Sequence, residues 1–246
     1  DILITPLNVH FDSEELAWII QRLQINAVVV DREDRLRRMQ EVRKLSGCDF
    51  RIYAINLERD RVEGKAIPLV EAFSRLSADD VNEQLAARPR FDIHDICTVM
   101  FTSGSTGRPK GVCFTQFNLV SKRFARAAAL PSVGRDEVLL CYLPLFHTFG
   151  RYLEMLGMLY WRGKYVFVGN PSNEALIASM KRIRPTGLIS IPLRWLQIRD
   201  KSLSVMETLP TSDEKQEAFS EITGGRLRWG LSAAGYLEPK AFRFFQ

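Results

Sequence analysis

Apolar positions along the chain fall into two alternating rhythms. After Asp12 and Ser13, either of which can cap a helix, Leu16, Ile19, Ile20 and Leu23 share one helical face. Residues 27–30 are then a short apolar run that stops at Asp31, as a parallel strand buried on both faces would. A charged helix is predicted over 34–45, with Leu36, Met39 and Val42 inward and Gly47 as its stop. Strands are predicted at 2–5, 50–55, 96–102, 112–114, 137–143, 165–168, 187–191 and 227–232. Helices are predicted from Thr115 as cap to Ala129, at 152–161, at 174–183 behind Ser172 or Asn173, at 193–206 after Pro192, and at 213–221. Residues 56–92 read as polar and irregular, with one short helix at 81–87. Apolar strands alternating with amphipathic helices predict an α/β fold of layered, largely parallel sheets flanked by helices. There is no internal repeat and no low-complexity tract.

Composition narrows the class. Of 246 residues, 46% are hydrophobic and 26% charged, with a net charge of +5, which excludes a disordered chain. The four cysteines, Cys48, Cys97, Cys113 and Cys141, are scattered and include no CxxC pair. They predict buried free thiols in a reducing, cytoplasmic setting. The longest apolar stretch, 139–146 interrupted by Pro144, is less than half of the ~20 residues that span a bilayer. No signal peptide is visible at the N-terminus. The pI of about 9.1 suits an anionic ligand. Peripheral membrane contact through the basic residues of 32–44 is the weaker alternative, since acids are interleaved there and a solvated helix face explains them. The first residue is Asp1, and a helix opening at Pro239 meets no stop signal before Gln246. The expectation is an internal piece of a longer polypeptide.

Between two predicted strands lies Thr102-Ser103-Gly104-Ser105-Thr106-Gly107-Arg108-Pro109-Lys110-Gly111. Glycines free the backbone to turn its N–H groups toward an anion, hydroxyls add donors, and Lys110 adds a compact charge. Each hydrogen bond to a charged oxygen contributes ~1.5–3 kcal/mol net, so a few hold a polyphosphate. The Walker pattern fails, because Gly104 and Gly107 are too close and Lys110 is followed by Gly111 rather than Ser or Thr. A flexible Ser/Gly turn would satisfy the same composition.

This loop resembles the signature of the adenylate-forming, AMP-binding superfamily, matched without a gap from Thr102 to Gly111. Thr5-Pro6-Leu7-Asn8, Glu14-Glu15-Leu16 and Val28-Val29-Val30-Asp31 resemble the family's segments upstream of the loop. Tyr142-Leu143-Pro144-Leu145-Phe146-His147 resembles its strand-to-helix junction, most closely in the long-chain fatty acyl branch. Leu227-Arg228 with Ser232-Ala233-Ala234 resembles its "L-R-x-x-x-S-G-G-A" segment, with alanines where glycines are common.

The resemblance implies a fragment of the large N-terminal domain of an acyl-CoA synthetase. Residues 1–92 would form βαβ units upstream of the loop, and 93–246 the phosphate loop and acyl-binding portion. The implied reaction joins a fatty acid to ATP as an acyl-adenylate and then to coenzyme A as a thioester, with Mg2+ as the metal. Implied nucleotide contacts are Thr102, Ser103, Gly104, Ser105, Thr106, Gly107, Lys110, Ser232, Ala233 and Ala234. His147 would stand beside the carboxylate, although a structural histidine at a strand end explains it otherwise. Pro192 and Trp195 would line the acyl pocket, with ordinary core as the alternative reading of 187–195. The family's Mg2+-binding Glu, ribose-binding Asp, C-terminal domain and catalytic lysine have no counterpart in this sequence, so the piece alone is expected to be inactive. A catalytically incompetent nucleotide-binding or interaction module is the alternative. The implied partners are small molecules, with no nucleic acid. Chain length of the acid and oligomeric state stay open.

Overall fold

A computed structural model describes residues 2–87, 92–102, 107–169 and 171–246. The chain divides into two compact units, 1–116 and 117–246.

In the first unit, helix α1 (Ser13–Leu23) starts with a reciprocal capping box: Asp12 Oδ1 accepts from Glu15 N–H, and Glu15 Oε2 accepts from Asp12 N–H. Its apolar face buries Leu16, Ile19 and Ile20 against α2 (Glu33–Ser46), which contributes Leu36, Met39 and Val42. Gly47, at φ +63°, ends α2 in the left-handed region. Strands β1 (Ala27–Val30), β2 (Arg51–Ala54) and β3 (Ile67–Pro68) form a parallel sheet in that order, with Val28 opposite Ile52 and Tyr53 opposite Ile67. Strand β3 and the short helices α3 (Arg59–Val62) and α4 (Leu69–Ser74) lie in the stretch expected to be irregular. Two strand residues are too few to show a period, which is why pattern alone missed them. Helix α5 (Ala78–Ala86) follows, capped by Ser77.

The expected strand at 2–5 reduces to a single bridge, Ile4 with Thr98, in which Thr98 Oγ1 donates to Ile4 O at 2.6 Å. The last two strands of the unit, β4 (Ile96–Thr102) and β5 (Lys110–Thr115), pair antiparallel. Thr115, expected as a helix cap, ends β5 and directly precedes the helix that begins at Gln116.

The second unit opens with α6 (Gln116–Ala129) and is built on parallel pairs. Strand β6 (Val138–Cys141) pairs with β7 (Lys164–Phe167), and β8 (Gly187–Ser190) with β9 (Trp229–Ser232). Strands β6 and β8 are fully buried, which accounts for their unbroken apolar sequence. They meet at their amino ends, where Thr186, just before β8, donates its N–H to Val138 O at 3.0 Å and Val138 N–H donates to Thr186 Oγ1 at 2.8 Å. Helices α8 (Asn173–Ile183), α9 (Pro192–Met206), α10 (Ser212–Thr223) and α11 (Pro239–Phe244) complete the unit, with α9 packing against α8, α10 and α11.

Where one α-helix was expected at 152–161, a π-helix runs over Phe149–Met155 before α7 (Leu156–Trp161). A five-residue hydrogen-bond step leaves the i, i+3, i+4 periodicity of apolar residues nearly intact, so it is invisible in sequence. All four cysteines are free, but only Cys141 is buried and Cys113 is exposed, which corrects the expectation of buried thiols. No helix among the described residues is long and apolar enough to cross a membrane.

Candidate functional site

Two places gather the residues singled out in the sequence. The first is the β4–β5 hairpin. Its last pair sets Thr102 opposite Lys110, so the two strands hold the ends of the Gly-rich loop together. Gly111 sits opposite Phe101, and a Cβ there would come within 3.1 Å of Val99 Cγ1 and 3.2 Å of the Phe101 ring. Gly107 adopts φ +84° with open space where a side chain would stand, as a loop offering its backbone to a ligand needs. Thr102 and Lys110 are exposed, while Pro109 is buried. Ser103, Gly104, Ser105 and Thr106 lie outside the described residues.

The second place is the carboxyl end of the parallel strands in the second unit, where open α/β sheets take their ligands. Strand β6 leads into a turn in which His147 N–H donates to Pro144 O at 3.1 Å, and His147 O accepts from Arg151 N–H at 3.0 Å at the start of the π-helix. His147 is exposed. The turn lies so close to Gly150 that a Cβ there would be 2.7 Å from Pro144 O and 3.0 Å from Leu143 O. At the ends of β6 and β8, the Tyr142 hydroxyl lies 2.5 Å from Ser190 Oγ and 3.1 Å from Ile189 O. Burial raises the Tyr142 phenol above its ordinary range, so it stays a neutral donor.

Strand β9 ends at Ser232, opposite Ser190, and its Oγ is buried without a partner among the described residues. Ala233 N–H donates to Ser190 O at 3.2 Å, and Ala234 stands in the left-handed region at φ +64°. The next residue, Gly235, packs on Pro192, since a Cβ there would be 3.2 Å from the proline Cγ. Ser232, Ala233, Ala234 and Pro192 are therefore neighbours in space.

Trp195 is buried, donates its indole N–H to Leu231 O at 3.4 Å, and rests on Gly230, where a Cβ would approach its ring to 2.6 Å. With Ser232, Trp229, Phe219 and Phe245 it lines a cavity of about 510 Å³; Pro192 does not. Lys110 belongs to the first unit and His147 to the second.

Three features of the second unit had no sequence signal. Glu137, 1% exposed, accepts from Trp229 Nε1 at 3.0 Å, from Arg228 Nη2 at 2.7 Å and from Thr186 Oγ1. Glu154, on the π-helix, accepts from the Tyr165 hydroxyl at 2.8 Å, and burial pushes its carboxyl up to about 8. Arg123 and Arg126 of α6 donate to the carbonyls of Leu153 and Tyr152. Each links residues distant in sequence, up to 92 positions apart for Glu137 and Trp229. Among the described residues no group of three or more His, Cys, Asp or Glu could hold a metal ion, so the donor set for Mg2+ is not found there.

The AMP-binding enzyme family matches residues 1–246. The chain belongs to that family. Fatty acyl-CoA synthetase A of Dictyostelium discoideum is 29% identical over 216 residues, which are 75% of this chain and 31% of that protein. The crotonobetaine/carnitine–CoA ligase of Escherichia fergusonii is 28% identical over 240 residues, covering 92% of this chain and 44% of the ligase. The adenylation domain of a carboxylate reductase from Mycobacterium chelonae superposes with a TM-score of 0.76 at 20% identity, over 98% of this chain and 40% of that one. The AMP-binding fold, mixed α/β with parallel strands, is thus shared across the described residues. The chain spans less than half the length of these relatives.

Proposed function

We propose that this AMP-binding chain carries the phosphate-binding and acid-binding portions of an ATP-dependent fatty acyl-CoA synthetase. In that reaction a carboxylate oxygen attacks the α-phosphorus of ATP, forming an acyl-adenylate as pyrophosphate leaves. The thiol of coenzyme A then attacks the acyl carbon and AMP leaves. The observation that carries the reading is the β4–β5 hairpin. It presents an exposed Lys110 and a positive-φ Gly107 at the mouth of the family's signature loop.

In this reading Lys110 and the loop Thr102–Gly107 hold the triphosphate, where a preorganised cation and donors stabilise the charge moving onto pyrophosphate. Ser232, whose buried Oγ has no partner among the described residues, and the small Ala233 and Ala234 border the nucleotide. His147 stands at the carboxylate, and Pro192 and Trp195 border the acyl chain. The fatty acid as substrate is supported by relatives such as the Dictyostelium synthetase and the long-chain-fatty-acid–CoA ligase 1 of Schizosaccharomyces pombe, which is 30% identical over 186 residues. No step is assigned to a metal. Because the chain spans less than half of its relatives, we infer that alone it binds nucleotide without completing acyl-CoA synthesis.

Equilibrium binding of ATP tests the reading. Lys110→Ala should weaken binding roughly tenfold or more, as loss of one charge-assisted contact implies, with the circular dichroism spectrum unchanged. Equal ATP affinity in the variant would remove the phosphate role. Acyl-CoA production by the purified 246-residue chain would overturn the inference that it does not carry the reaction through alone.

A further inference from the structure

We propose that Arg123 and Arg126 form a binding site for an oxyanion, a carboxylate or a phosphate group, beside the π-helix of the second unit. The proposal is independent of the reading above. The two arginines are three residues apart on α6, so they share a face, and they reach the carbonyls of consecutive residues. Arg126 Nη1 donates to Tyr152 O at 2.8 Å, and Arg123 Nη1 to Leu153 O at 3.3 Å.

Those carbonyls lie where the helix changes its hydrogen-bond step. Leu156 N–H still reaches back five residues to Arg151 O, and α7 then proceeds with four-residue bonds. Such a switch leaves one carbonyl without a main-chain donor, and a guanidinium N–H supplies it. One neutral donor would do that; the protein places two full charges there.

The charges are not balanced from within. Arg123 is 8% exposed, and its Nε is buried with no acceptor among the described residues. Neither guanidinium forms an ion pair among the described residues: burial first, then the charge of Arg126, pulls Arg123 down to about 10, and burial lowers Arg126 as well. The acid next in sequence to the shared carbonyls, Glu154, turns instead to Tyr165 and is held neutral at pH 7 by its burial.

Other titratable groups around Glu154, namely Tyr142, Tyr165 and Cys141, are themselves shifted toward their neutral forms. A backbone carbonyl is a dipole and offsets a buried cation only in part. The missing term is one negative charge with oxygens spaced for guanidinium N–H groups, which describes a carboxylate or a phosphate. Arg126 is only half-buried, so the pair meets solvent at its guanidinium.

The test titrates inorganic phosphate, acetate and glutarate into the full chain at constant ionic strength. It follows the Nε–Hε NMR signals of the arginines and the unfolding temperature. The expected result is saturable movement of the Arg123 and Arg126 signals, with affinity lost roughly tenfold or more in Arg123→Met and Arg126→Met. Arg182→Met, on an exposed face of α8, should leave the affinity as it was. Tighter binding of phosphate than of either carboxylate assigns the site to a phosphate group. Tighter binding of glutarate or acetate assigns it to an organic acid. Should Arg123→Met fail to fold, the half-buried Arg126→Met and the native-chain signals decide. No saturable movement with any of the three anions, or equal affinity in folded variants, overturns the proposal.

Discussion

The two units solve the same packing problem with different chemistry. In the first, the core is almost wholly aliphatic and aromatic, from Phe11 through Ile19, Val42 and Ile52 to Phe101, and among the described residues its buried polar ones are Ser46 and Thr98. Its ion pairs, such as Arg35 with Asp31 and Arg61 with Glu58, sit at the surface. The second unit buries Arg123, Glu137, Glu154, Ser190 and several further hydroxyls among its apolar side chains. Apolar contact is non-directional, whereas each buried polar group demands a partner in one place. The first unit is thus specified by pattern and the second in addition by particular pairs.

Titration should separate the units most strongly. Burial raises the Glu154 carboxyl from 4.5 to about 8 in the folded chain. The native state therefore holds a proton that the unfolded state releases, and the stabilisation present below pH 4.5 is lost as pH rises through about 8. The loss across that window is on the order of 5 kcal/mol. Glu154→Gln should flatten this dependence and raise the urea midpoint at pH 8.5 relative to the parent chain. Hydrogen exchange should place the change in residues 117–246, and a variant with the parent's pH profile would refute the assignment.

Glu137→Ala comes next. It strands the Thr186 hydroxyl and the Trp229 indole N–H and should cost about 2–4 kcal/mol. Arg35→Ala in the first unit should leave the midpoint within error, as exposed pairs generally do. Comparable losses from the two would erase the distinction between the units.

Gly150→Ala forces a methyl against two main-chain oxygens and should cost about 1–3 kcal/mol. It should also move the amide signals of the 144–148 turn, His147 included. The last change is a gain. Ala234→Gly relieves a left-handed alanine, at φ +64°, and should add about 0.5–1 kcal/mol, read as a small rise in melting temperature.

How much was legible in the sequence follows the same division. Leu36, Met39 and Val42, the Asp12 cap and the Gly47 stop were readable because each acts within a few residues of itself. The Gly-rich loop and His147 stand out in the sequence because their residue types are dense and ordered, and their chemistry is proposed on that ground. Glu137, Glu154 and Arg123 were not, since a lone charge in a strand or helix looks the same whether it meets water or a distant partner. The π-helix was hidden for a related reason: one extra residue per turn changes which carbonyl is left over, not which residues are apolar. The strand expected at 2–5 had the right composition but, among the described residues, forms a single bridge, Ile4 with Thr98.

The pairing of Thr102 with Lys110 also fixes how the hairpin can change over time. Side chains alternate along a strand, so inserting or deleting a single residue on either limb would swing Lys110 to the opposite surface. It would also drive a bulkier neighbour of Gly111 onto the Phe101 ring. The register of the two limbs therefore decides which surface Lys110 faces.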